Sequence, residues 1–308
     1  MKPNTFALML GFSQIFVMSV AAYADDSREC HPGRPPAISF VDYPVPDLIH
    51  GGNLTVKGKL TLPDRCHGHA RHPAPAVLIL HGSAGVDSRG GFYADALNEA
   101  GMATLEIDMW EARGVVGGSN RPPLPLLTYP DAFGALNLLA ARPEIDPERI
   151  GVLGFSWGGV ISMATATENN QGAKYGYGDT RFKAHVAHYP LCYGYNNPYI
   201  PALEFGSQKG NPLTGAPILV QLGEQDGYDE SPSPCRQLKA SLLPAEQAKL
   251  EVVAYANAQH AWDRLLVPIS ITDPFAHLGR GGEVTLTPNV DQAYKARDRV
   301  VRFFRRTL

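Results

Sequence analysis

Gly154-Phe155-Ser156-Trp157-Gly158-Gly159 stands between an apolar run, Arg149-Ile150-Gly151-Val152-Leu153, and a helix-like run from Val160 to Ala166. The order is strand, sharp turn, helix, with a serine at the turn. Such a turn needs small residues around the serine and lifts its hydroxyl clear of the backbone. Backbone N–H groups at the start of the following helix then face the reacting atom. G-x-S-x-G alone is a weak pattern, since a serine in any glycine-rich turn satisfies it. The strand before, the helix after, and Gly159, which lets that helix pack close to a sheet, favour a nucleophile at Ser156.

The same alternation extends along most of the chain. Leu54 to Leu60 alternates apolar and polar residues, as a half-exposed strand does. Ala76 to Leu80 is continuously apolar, as a strand buried on both faces is. A helix is expected from Phe92 to Ala100, ended by Gly101, and then a strand from Met102 to Ile107. Tyr129 to Arg142 reads as a helix with apolar spacing at Phe133, Leu136, Leu139 and Ala140. Ala184–Tyr189, Pro217–Leu222 and Leu250–Tyr255 read as strands, and about Asn289 to Arg306 as a closing helix. This β-then-α order predicts a mostly parallel sheet with helices on both faces. Ligands bind such sheets outside the carboxyl ends of the strands. Three loops are long: about 169–182, 192–215 and 263–288. The second, rich in aromatics and starting at Cys192, suits a lid or pocket wall as well as a surface loop pinned by its cysteine.

A serine hydroxyl needs a histidine to take its proton and a carboxylate to orient that histidine. In a sheet of this kind the chain order is serine, acid, histidine. Asp226 follows the strand ending at Leu222 through Gly223-Glu224-Gln225 and is the favoured acid over Glu224, Asp229 and Glu230. His260, in Ala258-Gln259-His260-Ala261-Trp262, follows the last strand and precedes the closing helix. It is the favoured base, with His277 as the fallback, whereas His185 and His188 flank an apolar strand as core or rim residues. The oxyanion hole calls for two backbone N–H groups. Trp157, next after the nucleophile, supplies one. Ser83 in His81-Gly82-Ser83-Ala84-Gly85 supplies the other, with Ala84 as the alternative. These parts predict an α/β-hydrolase fold.

The chain as a whole sets further bounds. Lys2, the apolar stretch Phe6–Val20 and Ala22-Tyr23-Ala24 form the three parts of a secretory signal over residues 1–24, with maturation at Asp25. The protein is therefore expected to be exported, periplasmic or secreted, with no membrane anchor after signal removal. Residues 25–308 are expected to form a single domain preceded by an N-terminal extension over 25–53. The formal charge of −3, or −4 without the signal, and the lack of a basic stripe argue against nucleic acid. Four cysteines, Cys30, Cys66, Cys192 and Cys235, fit two disulfides in an oxidising compartment. Three pairings are possible. Cys30–Cys66 and Cys192–Cys235 are favoured because each joins neighbouring loops or element ends. His67, His69 and His72 beside Cys66 read as a solvated proline-bounded loop, not a metal site.

His81–Gly85, Asp146–Gly159, Gly223–Asp226 and His260-Ala261-Trp262-Asp263-Arg264 together resemble the dienelactone hydrolase family, over about Val77 to Phe304. The resemblance implies an eight-stranded or slightly reduced α/β-hydrolase sheet, no cofactor, and hydrolysis of a small-molecule ester or lactone. Two departures stand out. The family's namesakes use a cysteine nucleophile held quiet by a glutamate. Here the position is Ser156, and Ser83-Ala84 offers no such carboxylate, so the chain resembles a serine branch. The namesakes also grip a substrate carboxylate with two arginines. Arg264 matches one place, and Arg113 matches the other with one residue inserted, which would form a bidentate clamp for an anionic substrate. The expected activity is a carboxylic ester hydrolase acting through Ser156, His260 and Asp226, as a monomer or homodimer. Acyl transfer and peptide cleavage fit the same triad, and a non-catalytic binding protein on this scaffold is the remaining alternative.

Overall fold

The run Ala74–Leu80 buries every side chain except half-buried Pro75, as a strand covered on both faces must. The computed structural model describes residues 37–63, 73–197 and 203–308. In it this run is β3 of an eight-stranded sheet comprising β1 Ala37–Pro46, β2 Asn53–Leu62, β3, β4 Ala103–Asp108, β5 Ile145–Phe155, β6 Ala184–His188, β7 Ile218–Gly223 and β8 Leu250–Tyr255. The spatial order is β1-β2-β4-β3-β5-β6-β7-β8. β2 pairs antiparallel with both β1 and β4, and every other pairing is parallel. The expected mostly parallel sheet is therefore present.

Among the described residues eight α-helices accompany it: α1 Ser88–Glu99, α2 Tyr129–Ala140, α3 Trp157–Thr165, α4 Cys192–Asn196, α5 Ser233–Ala240, α6 Pro244–Gln247, α7 Ala276–Gly279 and α8 Val290–Thr307. The period-two pleat sorts the core into two layers. Ala76, Leu78 and Leu80 face Phe133 and Leu136 of α2 and Ile161 of α3. Val77 and Ile79 face Tyr93 and Leu97 of α1 and Val300 and Phe304 of α8. The chain leaves β3 toward β4 on one side and returns to β5 on the other. The crevice at the carboxyl ends of β3 and β5 is thus a topological switch point, where such sheets bind ligands.

The structure departs from the sequence reading in three places. Residues 37–46, assigned there to an extension, are the edge strand β1. Its outer half is exposed, and Val41, Tyr43 and Val45 pack against the core, Val41 only partly buried. α1 begins at Ser88, four residues early. The Asp87 side chain caps it by accepting the Arg89 N–H at 3.1 Å, and a Cβ on Gly90 would lie 1.5 Å from Glu106 Oε1. Gly90 is therefore there for close packing against β4 and does not break the helix. The loop 263–288 contains a hairpin, β9 Ile269–Asp273 and β10 Gly282–Leu286, which form a separate two-stranded sheet. Among the described residues no helix is long and apolar enough to cross a membrane. The signal region, Cys30, Cys66, His67, His69 and His72 lie outside the described residues.

Cys192 and Cys235 are joined, 43 residues apart, and link α4 to α5. Closing a loop of that size restricts the unfolded chain by about 4 kcal/mol in the chain-entropy model, less whatever strain the folded state carries. The double variant Cys192→Ser/Cys235→Ser is expected to lose roughly 2–4 kcal/mol in denaturant unfolding. Unchanged stability would show that the bridge constrains little.

Candidate active site

Ser156 has φ 50° and ψ −105°, a left-handed backbone that costs a non-glycine residue of order 1–3 kcal/mol. Close packing enforces it. A Cβ on Gly154 would lie 1.9 Å from Gly158 O, and one on Gly158 would lie 2.3 Å from Leu80 O. The turn is pinned on both sides. The Ser156 N–H donates to His188 O at 2.9 Å, and the Gly158 N–H donates to His81 O at 3.1 Å. Strand β5 thus delivers the hydroxyl to the carboxyl edge of the sheet between β3 and β6.

Two further strands bring its partners. His260, in the turn after β8, places Nε2 3.0 Å from Ser156 Oγ, and its Nδ1 lies 2.9 and 3.1 Å from the two Asp226 oxygens. Asp226, in the turn after β7, is buried and also accepts the Tyr228 N–H at 2.8 Å. The Tyr189 and Tyr228 rings both pack on the His260 ring, with centroids 4.5 and 4.3 Å away. These contacts and the Asp226 carboxylate restrict the imidazole's rotation. The rivals are engaged elsewhere. Glu230 pairs with Arg280 and His277, Glu224 is exposed, and His277 Nε2 meets Glu283 O. Asp229 accepts the N–H groups of Cys192 and Tyr193 at 2.9 and 2.7 Å.

The loop after β3 is fixed by His81, whose role the sequence reading missed. The Met109 N–H donates to His81 Nε2 at 2.9 Å, so Nδ1 carries the proton and donates to Gly82 O at 2.7 Å. Burial lowers the His81 pKa to about 4 and keeps the ring neutral. The Ser83 carbonyl in turn accepts from Trp110 Nε1 at 3.1 Å and from the Gly118 N–H at 2.7 Å. Ser83, Trp157 and Ser156 line one cavity. The only signal in the sequence was the His-Gly pair directly after an apolar strand.

Two spaces meet at Ser156. One is an apolar pocket of about 80 Å³ walled by Leu126, Tyr129, Trp157, Val160, Leu191 and Leu203. The other is a cleft of about 290 Å³ bordered by His260, Arg89, Arg264 and the β9–β10 hairpin. The long loop beginning at Cys192 is therefore part of the pocket wall, through Tyr193, Gly194 and Leu203. Arg264 reaches the cleft and lies 3.6 Å from Asp87. Arg113 does not reach either space. Its guanidinium is bound by buried Asp131 at 2.7 and 2.9 Å and by Met109 O at 2.8 Å. Arg121, eight residues on, lines both spaces instead. It donates to Asp273 of the hairpin at 2.8 Å and lies over the Trp157 and Phe275 rings. No local motif marks Arg121, because its partner is 152 residues away.

A second buried carboxylate lies beneath the site. Asp263 accepts from Tyr189 Oη at 2.6 Å and Tyr93 Oη at 2.8 Å, and its Oδ2 is 3.0 Å from His188 Nδ1. Burial opposes its ionisation, but His188, Arg89 and Tyr189 outweigh that and hold its pKa below the usual carboxylate range. It ties the His260-bearing turn to the strand whose carbonyl holds the Ser156 N–H. Removing one partner of such a buried set costs about 3–5 kcal/mol, so Asp263→Ala is expected to unfold at markedly lower denaturant. An unchanged midpoint would contradict this anchoring.

Asp229 behaves in the opposite way. Burial, then the nearby Asp226 charge, pushes its pKa up to about 7. An unfolded aspartate titrates near 3.9, so the folded chain holds this proton more tightly. Rising pH between the two values therefore removes stability. Asp229→Asn removes that penalty. Its stability relative to the parent is expected to rise from pH 4.5 to pH 7 and then level off. A difference that stays constant with pH would show that Asp229 does not carry it.

Comparison with known proteins agrees with this architecture. Protein PA2218 of Pseudomonas aeruginosa is 32% identical over 119 residues, covering 37% of this chain and 31% of PA2218. The sequence matches span about a third of the length of the curated relatives concerned. The dienelactone hydrolase-like promiscuous phosphotriesterase P91 from metagenomic libraries superposes with a TM-score of 0.54 at 16% identity, over 88% of this chain and 99% of that one. Esterase 2 of Thermogutta terrifontis, solved phosphoramylated by tabun, gives 0.57 at 15% identity, over 89% and 96%. These likenesses establish the α/β-hydrolase fold. The profile of the dienelactone hydrolase family matches residues 65–305, from ahead of β3 into α8, and the chain belongs to that family of hydrolases.

Proposed function

We propose that the protein is an exported serine hydrolase that cleaves a carboxylic ester or lactone through an acyl-enzyme. The observation that carries this reading is the continuous chain of contacts from Ser156 Oγ through His260 to Asp226, set on the strained turn at Ser156. His260 Nε2 takes the hydroxyl proton as Oγ attacks the carbonyl carbon. Asp226 holds Nδ1–H and stabilises the imidazolium. The N–H groups of Ser83 and Trp157 receive the oxyanion, each worth about a hundred- to a thousandfold in rate. His260 then protonates the leaving alkoxide, and water, deprotonated by the same ring, releases the acid.

The arginines of the cleft support a carboxylate-binding role for Arg264. Arg121 lines the same cleft with its guanidinium held by Asp273 and Gly118 O, whereas Arg113 is bound to Asp131 outside it. Export rests on the N-terminal segment of the sequence, residues 1–24.

Ser156→Ala is expected to lower kcat for simple aryl esters by about 10⁴–10⁶ while leaving the unfolding midpoint near the parent's. Near-normal turnover in that variant would remove Ser156 from the mechanism. Arg264→Gln is expected to raise KM for anionic esters more than for neutral ones, and an equal loss on both would remove the clamp.

A further inference from the structure

The two spaces at Ser156 differ in a way that assigns the two halves of the substrate, given the serine mechanism proposed above. The proton leaving Ser156 Oγ resides on His260 Nε2 and must pass to the oxygen of the departing alcohol. That oxygen must therefore lie on the His260 side of the carbonyl carbon. His260 borders the cleft and not the pocket, as do Arg89, Arg264 and the hairpin residue Thr272. The acyl carbon chain is left to the opposite side, where Trp157, Tyr129, Val160 and Leu126 wall the apolar pocket. We infer that the natural substrate is an ester of a short- to medium-chain aliphatic acid with a polar alcohol, the acyl chain in the pocket and the alcohol in the cleft.

The pocket also sets the chain length. With the carbonyl carbon held at Ser156, a pocket of about 80 Å³ walled by these side chains suits a short- to medium-chain acyl group. Each methylene buried in it should raise kcat/KM by up to about fourfold until the pocket is full. The cleft is larger, at about 290 Å³. The Arg264 guanidinium and the Ser119 and Thr272 hydroxyls, which line the cleft and not the pocket, offer a polar alcohol hydrogen bonds that an alkyl chain cannot use.

An isomeric pair tests the orientation: 1-hexanoylglycerol has the apolar half as acid, and hexyl glycerate has it as alcohol. The full-length mature protein should hydrolyse 1-hexanoylglycerol at least tenfold more efficiently. Equal rates, or preference for hexyl glycerate, would overturn the assignment. Val160→Phe should shift the optimum in a glycerol monoester series to shorter acyl chains, and Leu126→Ala should shift it to longer ones. If Val160→Phe does not fold, the Leu126→Ala shift decides alone, and an unmoved optimum there counts against the pocket. Labelling by a fluorophosphonate separates the two levels. A protein that labels at Ser156 yet prefers hexyl glycerate has the proposed nucleophile with the wrong orientation. One that does not label lacks the nucleophile, and the substrate assignment fails with it.

Discussion

The contact that the rest of the site depends on is the near-collision of backbone at Gly154, Gly158 and Leu80. Strand β5 can pass into α3 within so few residues only because no Cβ stands at Gly154 or Gly158. That approach forces Ser156 to φ 50°, and the cost, of order 1–3 kcal/mol, is offset by burial around it. Phe155, Trp157 and Ile161 are all within the core, and burying each such side chain contributes roughly 1.5–3 kcal/mol. Because β3 and β6 flank β5, the same geometry sets the distances to the His81 loop on one side and the His188 carbonyl on the other.

Polar groups beneath this turn are used to hold it, and their charge states follow from what faces them. His81 is buried and neutral, and its two nitrogens bridge the Met109 N–H and Gly82 O. Asp263 is buried and ionised because two tyrosine hydroxyls and His188 converge on it. Asp229 is buried near Asp226 with only backbone donors from Cys192 and Tyr193, so its proton is held up to about pH 7. The three differ in charge though all are buried. Opposite charges and donors, not burial alone, decide ionisation.

The sequence was most legible where function depends on neighbours along the chain. The elbow at Ser156, the Asp226 turn after β7 and the His260 turn after β8 each follow an apolar strand at close range, and the structure brings their side chains together. Legibility failed where position depends on distant residues. Arg113 sits nearest the place the family likeness suggested, yet Asp131 of α2 captures it. Arg121 is held at the site by Asp273 at the end of β9, 152 residues away. β1 escaped because its core-facing residues Val41, Tyr43 and Val45 are offset by exposed Ile38 and Phe40 on the other face, which blur the alternation.

The central claim is that Ser156 becomes covalently acylated with His260 as its base. Rapid-quench mass spectrometry during turnover of an aryl hexanoate measures this directly. The account predicts a transient hexanoyl adduct on the peptide containing Ser156, which disappears in His260→Gln. Steady hydrolysis with no adduct on that peptide, or an adduct formed equally fast without His260, would contradict it.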